Sequence, residues 1–187
     1  MIDSWWYSSA WVLLVAIWII GALGTKRTAQ SESMRGRAGH MLMMMLAAWL
    51  FFSDLVPRLL RQRFLPETPL VFATGAFLTW LGLGFAIWAR LILGRNWSGS
   101  VEVKQGHSLV VAGPYRLVRH PIYSGVLLAM TGTALGTGEI RCLLAVPVAF
   151  TALWIKSRHE EGFMRIQFGS EYERYQSRVR AIVPGLL

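Results

Sequence analysis

The sequence has few charged residues, few acidic residues and a single cysteine. Of its 187 residues 16% are charged, with 10 Asp or Glu against 19 Lys or Arg, which gives a formal net charge of +9. An average soluble domain is about 25% charged, so this composition excludes an ordinary soluble globule. A lone cysteine, Cys142, excludes an internal disulfide, and the sequence has no Cys–His pattern that would suggest a zinc site.

Apolar and aromatic residues are abundant instead. They make up 54% of the chain, nine of them are tryptophans, and the mean hydropathy is +0.43. Tryptophan favours the interface between membrane and water. We therefore expect a membrane protein of one domain, residues 1–187, whose positive charge reflects topology and attraction to anionic lipid rather than binding of nucleic acid.

Five apolar stretches are candidates for membrane spans. They cover residues 5–24, 39–60, 69–93, 122–136 and 140–154. Only three residues separate the last two stretches, which predicts a tight helical hairpin. The predicted fold is an all-α integral membrane protein with five transmembrane helices, in which residues 1–93 form a three-span scaffold and residues 94–187 carry the functional loop, the hairpin and a C-terminal helix.

The basic residues are distributed unevenly between the two sides of this topology. Fourteen of the 19 Lys and Arg follow the first, third or fifth stretch. By the positive-inside rule, the loop 94–121 and the C-terminus are predicted to be cytoplasmic, and the N-terminus outside.

The end of this loop combines a cation, an imidazole and a helix start. Pro121 fits the first position of a helix, which places Arg119, His120 and Tyr123 at a helix N-terminus near the membrane surface. Free backbone N–H groups there favour an anion such as a carboxylate. An interfacial anchor, with a snorkelling arginine and a tyrosine among headgroups, is the alternative interpretation.

A pair of carboxylates follows the fifth stretch. If the helix continues, Lys156 and Glu160 share a face at i,i+4 spacing, and Glu160 and Glu161 lie just beyond the bilayer. Such carboxylates can bind a cationic ligand or take a proton. A solvated ion pair that stabilises the helix end is the alternative interpretation.

The C-terminal tail shows helical periodicity with basic residues between its apolar positions. The apolar positions are Phe168, Tyr172, Tyr175, Val179 and Ile182. They predict an amphipathic basic helix that ends at Pro184-Gly185 and either lies in the headgroup plane or covers the loop.

Two other patterns favour structural roles. Gly132 and Gly136 form a GxxxG motif, which allows close helix packing. Asp54 and Arg58 are spaced i,i+4, which is typical of a mutual ion pair.

Several motifs of the C-terminal half occur in a fixed order. They are Gly-Pro-Tyr at 113–115, Arg-His-Pro-x-Tyr at 119–123, Glu-Glu at 160–161, Phe-Gly-x-x-Tyr-x-x-Tyr at 168–175 and Ile-x-Pro at 182–184. Together they resemble the isoprenylcysteine carboxyl methyltransferase family, in particular its short prokaryotic members with five spans. The resemblance covers about residues 90–187, and it implies a location in a prokaryotic inner membrane.

The resemblance implies a methyltransferase that uses S-adenosylmethionine and releases S-adenosylhomocysteine. The family's cofactor-binding positions fall on His107, Ser108, Leu109, Val110, Tyr115, His120, Pro121, Ile122, Tyr123 and Glu160. The position at which family members carry an arginine beside the substrate carboxylate is occupied by Lys156. Lysine keeps the charge but lacks the bidentate fork, so Arg158 is a nearby substitute. No Gly-rich βαβ fingerprint is present, which excludes a soluble Rossmann methyltransferase.

Glu161 and Arg158 are the predicted catalytic residues. A carboxylate or thiolate nucleophile needs no base, whereas an amine or hydroxyl does, and Glu161 or His159 would supply it. No metal is expected.

Three function classes follow. The first is methyl transfer to a lipophilic small molecule or lipid, such as a carboxylate or thiol of an isoprenoid-like molecule. An NADPH-dependent membrane reductase related to sterol reductases and a non-enzymatic small transporter or interaction protein are the alternatives. Membrane lipids are expected partners and nucleic acid is not; the sequence leaves the oligomeric state open.

Overall fold

The computed structural model describes residues 5–22, 28–31, 34–94, 102–104 and 109–185, and these residues form an almost entirely helical structure. The helices are α1 (Trp5–Ala22), α2 (Met34–Phe52), α3 (Pro69–Leu93), α4 (Pro121–Thr137), α5 (Ile140–Phe168) and α6 (Ser170–Arg178). Two short strands, β1 (Thr28–Ser31) and β2 (Glu102–Lys104), pair antiparallel. Two 3-10 turns cover Arg58–Arg61 and Gly113–Arg116.

Local sequence signals set the bounds of α3 and α4. Thr68 caps α3, because its hydroxyl accepts a hydrogen bond from the N–H of Val71, and Pro69 occupies the first turn. In the same way Pro121 begins α4. Gly94 and Gly138, at φ +54° and +65°, end the two helices in a conformation that favours glycine.

Helices α3 and α4 form the closest helix pair. A Cβ atom added to Gly82 would lie 2.5 Å from the backbone oxygen of Gly125, and one added to Gly132 would lie 2.5 Å from the backbone nitrogen of Thr79. Small residues are therefore required where the backbones meet. The GxxxG motif contacts α3 of the same chain, since Gly136 lies against Gly75.

The helices alternate in direction and so define two ends of the bundle. At one end the Arg90 guanidinium donates to the carbonyl oxygens of Gly21 (2.7 Å) and Gly94 (2.8 Å), which joins the C-termini of α1 and α3. The paired strands connect the segments that follow these two helices. At the opposite end the N–H of Phe64 donates to the carbonyl of Gly138 (2.7 Å), which joins the α2–α3 and α4–α5 connections.

Two of the described helices, α3 and α5, are long and apolar enough to cross a membrane. The apolar parts of α1 and α2 are shorter, at Trp5–Gly21 and Ala38–Phe52. Helix α5 has 29 residues, about 43 Å, and its apolar part ends before Lys156. It therefore continues beyond a hydrocarbon layer of about 30 Å.

Two predicted features of the N-terminal half are wrong. The second apolar stretch was expected to be helical to residue 60, but α2 ends at Phe52. Pro57 has no N–H to donate and precedes a 3-10 turn, so the chain cannot continue as one helix there. Asp54 lies in this turn region, and its carboxylate contacts Arg61 at 3.9 Å instead of the expected Arg58.

Candidate active site

The candidate site lies where the N-terminus of α4 meets the part of α5 beyond its apolar stretch. The turn Gly113–Arg116 leads to His120, the residue before the first residue of α4. The C-terminal tail pairs with this segment. The N–H groups of Arg119 and His120 donate to the carbonyl oxygens of Arg180 (2.8 Å) and Ala181 (2.9 Å). The segment is thus held on one side by α5 and on the other by the tail.

The imidazole of His120 lies between two carboxylates of α5. Its Nδ1 is 3.4 Å from Oε2 of Glu160, and its Nε2 is 3.2 Å from Oε1 of Glu161. Its ring stacks on that of Tyr123, with centroids 5.3 Å apart. Burial lowers the pKa of His120, but hydrogen bonds to Glu160 and Glu161 and their charges outweigh it, so the pKa is raised. The arrangement favours the imidazolium form.

Glu161 is the most buried charged residue of the described part of the chain, with no exposed surface. Arg119 contacts its Oε1 through Nε (2.8 Å) and Nη2 (2.7 Å). Arg158 and Arg165 lie 3.4 and 3.7 Å from its Oε2. Burial raises the pKa of Glu161, but the hydrogen bonds and charges of His120 and Arg119 outweigh it and hold the pKa at about 2. Glu161 is therefore a permanently ionised group.

Glu160 differs from Glu161 because its side chain is 20% exposed. The hydroxyl of Tyr123 donates to its Oε1 at 2.6 Å, and Lys156 Nζ lies 3.9 Å from the same atom. Burial raises the pKa of Glu160, but the His120 hydrogen bond and the charge of Lys156 lower it further than burial raises it. Lys156 also lies over the Tyr123 ring, 5.6 Å from the centroid. The expected i,i+4 contact between Lys156 and Glu160 is confirmed.

Helix α6 packs against the end of the loop, at Tyr115 and Arg119. Tyr172 is buried, and the Tyr175 hydroxyl donates to the carbonyl oxygen of Tyr115 at 2.6 Å. The Gln176 side chain donates to Glu161 at 2.9 Å. These contacts agree with the predicted position of the tail over the loop.

The predicted extent of the C-terminal helix is wrong. Gly169, at φ +51°, separates α5 from α6. Helix α6 ends at Arg178, and Val179 is extended. The segment from Val179 to Ile182 is not helical, because its carbonyl oxygens accept hydrogen bonds from Arg119, His120 and Ser124.

The structure joins six of the predicted site residues by the contacts above: His120, Tyr123, Lys156, Arg158, Glu160 and Glu161. Tyr115 is buried and is held by Tyr175. Pro121 is buried, Ile122 is half-buried beside it, and Leu109 and Val110 lie half-buried in the extended stretch before the turn. His107 and Ser108 lie outside the described residues.

Sequence reasoning missed two residues of this site. Arg119 was interpreted as an anion-binding residue or a snorkelling anchor, but its side chain is 7% exposed and is paired with Glu161. Gln176 was not singled out at all. Both contacts join positions at least 15 residues apart, so neither leaves a periodic signal.

The sequence matches one protein family and several proteins of known name. The sequence profile of the family described as phospholipid methyltransferase matches residues 70–171, more than half of the chain. A probable protein-S-isoprenylcysteine O-methyltransferase of Oryza sativa subsp. indica is 34% identical over 122 residues, which cover 58% of this chain and 62% of that protein.

Two further relatives align over a similar share of the chain. Protein-S-isoprenylcysteine O-methyltransferase B of Arabidopsis thaliana is 30% identical over 99 residues, which cover 51% of this chain and 50% of that protein. The cobalt-zinc-cadmium resistance protein CzcN of Cupriavidus metallidurans is 30% identical over 108 residues, which cover 57% of this chain and 50% of that protein. The chain thus spans between half and about three-fifths of the length of these relatives.

Proposed function

Because this chain belongs to the phospholipid methyltransferase family, we propose that it transfers a methyl group from S-adenosylmethionine to a lipophilic substrate at a membrane. The resemblance to isoprenylcysteine carboxyl methyltransferases is confirmed by the relatives named above. The names of these relatives support an acceptor that carries an isoprenoid group.

The observation that carries the proposal is the position of His120 between Glu160 and Glu161. Glu161 is fully buried and paired with Arg119, whereas Glu160, which contacts His120, Tyr123 and Lys156, is 20% exposed. The difference in exposure supports different roles for the two adjacent carboxylates. Glu161 would hold the site together, and Glu160 would be the carboxylate that a ligand contacts.

The donor set suits the proposed cofactor. S-adenosylmethionine carries an ammonium, a carboxylate, ribose hydroxyls and an adenine, and when bound it supplies an electrophilic methyl group on a sulfonium. Glu160 would hold the ammonium or ribose hydroxyls, and the N-terminus of α4, which begins after His120, would favour the carboxylate. The remaining proposed contacts are those implied by the resemblance: His107, Ser108, Leu109, Val110, Tyr115, Pro121, Ile122 and Tyr123.

We propose a positioning role for Glu161 in preference to the predicted role of catalytic base. A carboxylate with a pKa of about 2 that is paired with Arg119 is a weak proton acceptor near neutral pH. The site therefore suits a nucleophile that is already an anion, such as a carboxylate or thiolate. Methyl transfer to such an anion requires alignment of nucleophile and methyl group more than proton removal.

Two cations are available to orient an anionic acceptor. Lys156 lies over the Tyr123 ring beside Glu160, and Arg158 is 51% exposed. Lysine presents a point charge where related proteins present a planar fork. We propose that Lys156 contacts the acceptor and that Arg158 contributes a second, more exposed charge.

We further propose that the protein is integral to a membrane, with the site on the cytoplasmic side and five spans. The apolar parts of α3 and α5 support two of the spans directly. The Arg90 contacts and the β1–β2 pairing support the topology, because they place the segments after α1 and α3 at the same end as the site. Most basic residues are predicted from the sequence to lie on this side, as the positive-inside rule requires of a cytoplasmic side.

A methyl-transfer screen tests the proposal. Purified protein in lipid nanodiscs, labelled S-adenosylmethionine and a panel of prenylated carboxylates, small thiols and lipid extracts should yield a labelled lipophilic product. Lys156→Ala should impair transfer to acidic acceptors more than it impairs cofactor binding. Selective binding of NADPH in place of S-adenosylmethionine would favour the reductase alternative and contradict the proposal.

A further inference from the structure

We propose that Gln176 is a positioning residue of the candidate site: through Glu161 it fixes the orientation of His120, and so controls the affinity for the cofactor. This inference rests on the proposed function. Gln176 lies on α6, outside every motif that carries the family resemblance.

The two oxygens of Glu161 have separate sets of partners. Oε1 faces Arg119 and His120, whereas Oε2 faces Gln176, Arg158 and Arg165. Of the contacts of Oε2, the one from Gln176 Nε2 is the shortest, at 2.9 Å. Arg119 holds Oε1 at 2.8 and 2.7 Å and Gln176 holds Oε2, so the rotation of the carboxylate, and with it the direction of Oε1 toward His120, depends on Gln176 as well as on Arg119.

The amide of Gln176 is itself held in one orientation. Its Oε1 accepts a hydrogen bond from Nε of Arg165 at 3.0 Å, and its backbone carbonyl accepts one from Nη1 of Arg119 at 3.2 Å. A flipped amide would place an oxygen against Oε2 of Glu161 and an NH₂ group against Arg165. The network thus selects the orientation in which the NH₂ group faces Glu161.

The orientation of Glu161 also affects the contact between His120 and Glu160. Because Nε2 of His120 is held by Glu161, Nδ1 is directed toward Glu160. The groups that face His120 are Glu160 and Glu161 from α5 and Tyr123 from α4, with Arg119 and Lys156 next to these carboxylates. A rotated Glu161 would release the imidazole and disturb the contact with Glu160.

Calorimetry with S-adenosylhomocysteine and the full chain in lipid nanodiscs tests the proposal. Gln176→Glu replaces the donor with a carboxyl group, so at mildly alkaline pH we expect about tenfold weaker binding than the wild type. At mildly acidic pH the introduced carboxyl can be protonated and can donate to Glu161, so the affinity should approach that of the wild type. Gln176→Leu, which can never donate, should bind weakly at every pH.

Gln167→Glu is the matched control. Gln167 is exposed on α5, so the same substitution adds the same charge away from the site, and binding should equal that of the wild type. Wild-type affinity of Gln176→Glu at alkaline pH would overturn the proposal, as would a loss that does not vary with pH.

A second measurement separates this inference from the proposed function. The titration of His120, followed by NMR and assigned with His120→Gln, should be shifted by Gln176→Glu and unchanged by Gln167→Glu. If the wild type binds no S-adenosylhomocysteine, the proposed function fails, but a shifted His120 titration would still support the positioning role. Identical His120 titrations in both variants would overturn it.

Discussion

The most deeply buried and the most exposed ion pairs of the described residues lie at opposite ends of the helix bundle. At the site end, the ion pair of Arg119 and Glu161 is 7% and 0% exposed and has multiple partners. At the opposite end, Asp54 and Arg61 are 84% and 46% exposed and 3.9 Å apart. Exposed pairs contribute about 0–1 kcal/mol, whereas breaking a buried pair leaves an uncompensated charge. Buried charge is therefore concentrated where the chain must hold an imidazole and two carboxylates in one geometry.

The sharpest test of this comparison removes one carboxylate from the site end. Glu161→Ala leaves Arg119 buried without its main partner, and we expect a loss of about 3–5 kcal/mol in the free energy of unfolding. Chemical unfolding in mild detergent measures it. A loss below about 1 kcal/mol would contradict the assignment of Glu161 as the residue that holds the site end together.

A second test concerns the helix pair that connects the two ends. Gly82→Ala places a Cβ atom against the α4 backbone, 2.5 Å from the carbonyl oxygen of Gly125, and should cost about 1–3 kcal/mol. Gly84→Ala is the matched control, because nothing lies within 4 Å of its added Cβ. The control should be neutral or slightly stabilising, by up to about 1 kcal/mol. Equal effects would show that α3 and α4 do not approach as described.

The third test measures how the stability contributed by His120 at the site end of the bundle depends on pH. The raised pKa of His120 means that its charge stabilises the fold fully below about pH 6.5 and that this contribution is lost as the pH rises through the raised value. His120→Gln should cost about 1 kcal/mol at mildly acidic pH and should remove this alkaline loss. Thermal unfolding across the pH range measures both effects, and an unchanged alkaline loss in the variant would assign it to another group.

The smallest effect is expected at the opposite end. Asp54→Ala should change the free energy of unfolding by less than about 0.5 kcal/mol, because its pair with Arg61 is exposed. The same chemical unfolding experiment measures it beside Glu161→Ala. A cost comparable to that of Glu161→Ala would remove the difference between the two ends.

The sequence predicted the fold best where local signals set the helix bounds. Helix α3 covers residues 69–93 as expected, because Thr68, Pro69 and Gly94 act within a few residues of the helix ends. Pro121 began α4 for the same reason. The apolar stretches of the sequence also located α1 and the start of α5. The number of membrane spans stays a prediction.

The errors and omissions arise from contacts between distant parts of the chain. The tail was expected to be helical through Ile182, but its residues after Arg178 pair with Arg119 and His120 about 60 residues away, and this tertiary pairing overrides the helical period. The burial of Arg119 depends on Glu161, which is 42 residues further along. The site residues implied by the resemblance stay a proposal, although the structure joins four of them, His120, Tyr123, Lys156 and Glu160, in one network.

Calorimetry with S-adenosylhomocysteine on the wild type and Glu160→Gln in lipid nanodiscs tests the central claim most directly. Glu160 has the partly exposed carboxylate of the site, so the variant keeps the size of the side chain and loses the charge that would hold the cofactor. We predict saturable binding by the wild type, at least tenfold weaker binding by Glu160→Gln, and unchanged binding by Asp54→Asn at the opposite end. An absence of binding by the wild type, or equal binding by all three proteins, would contradict the account.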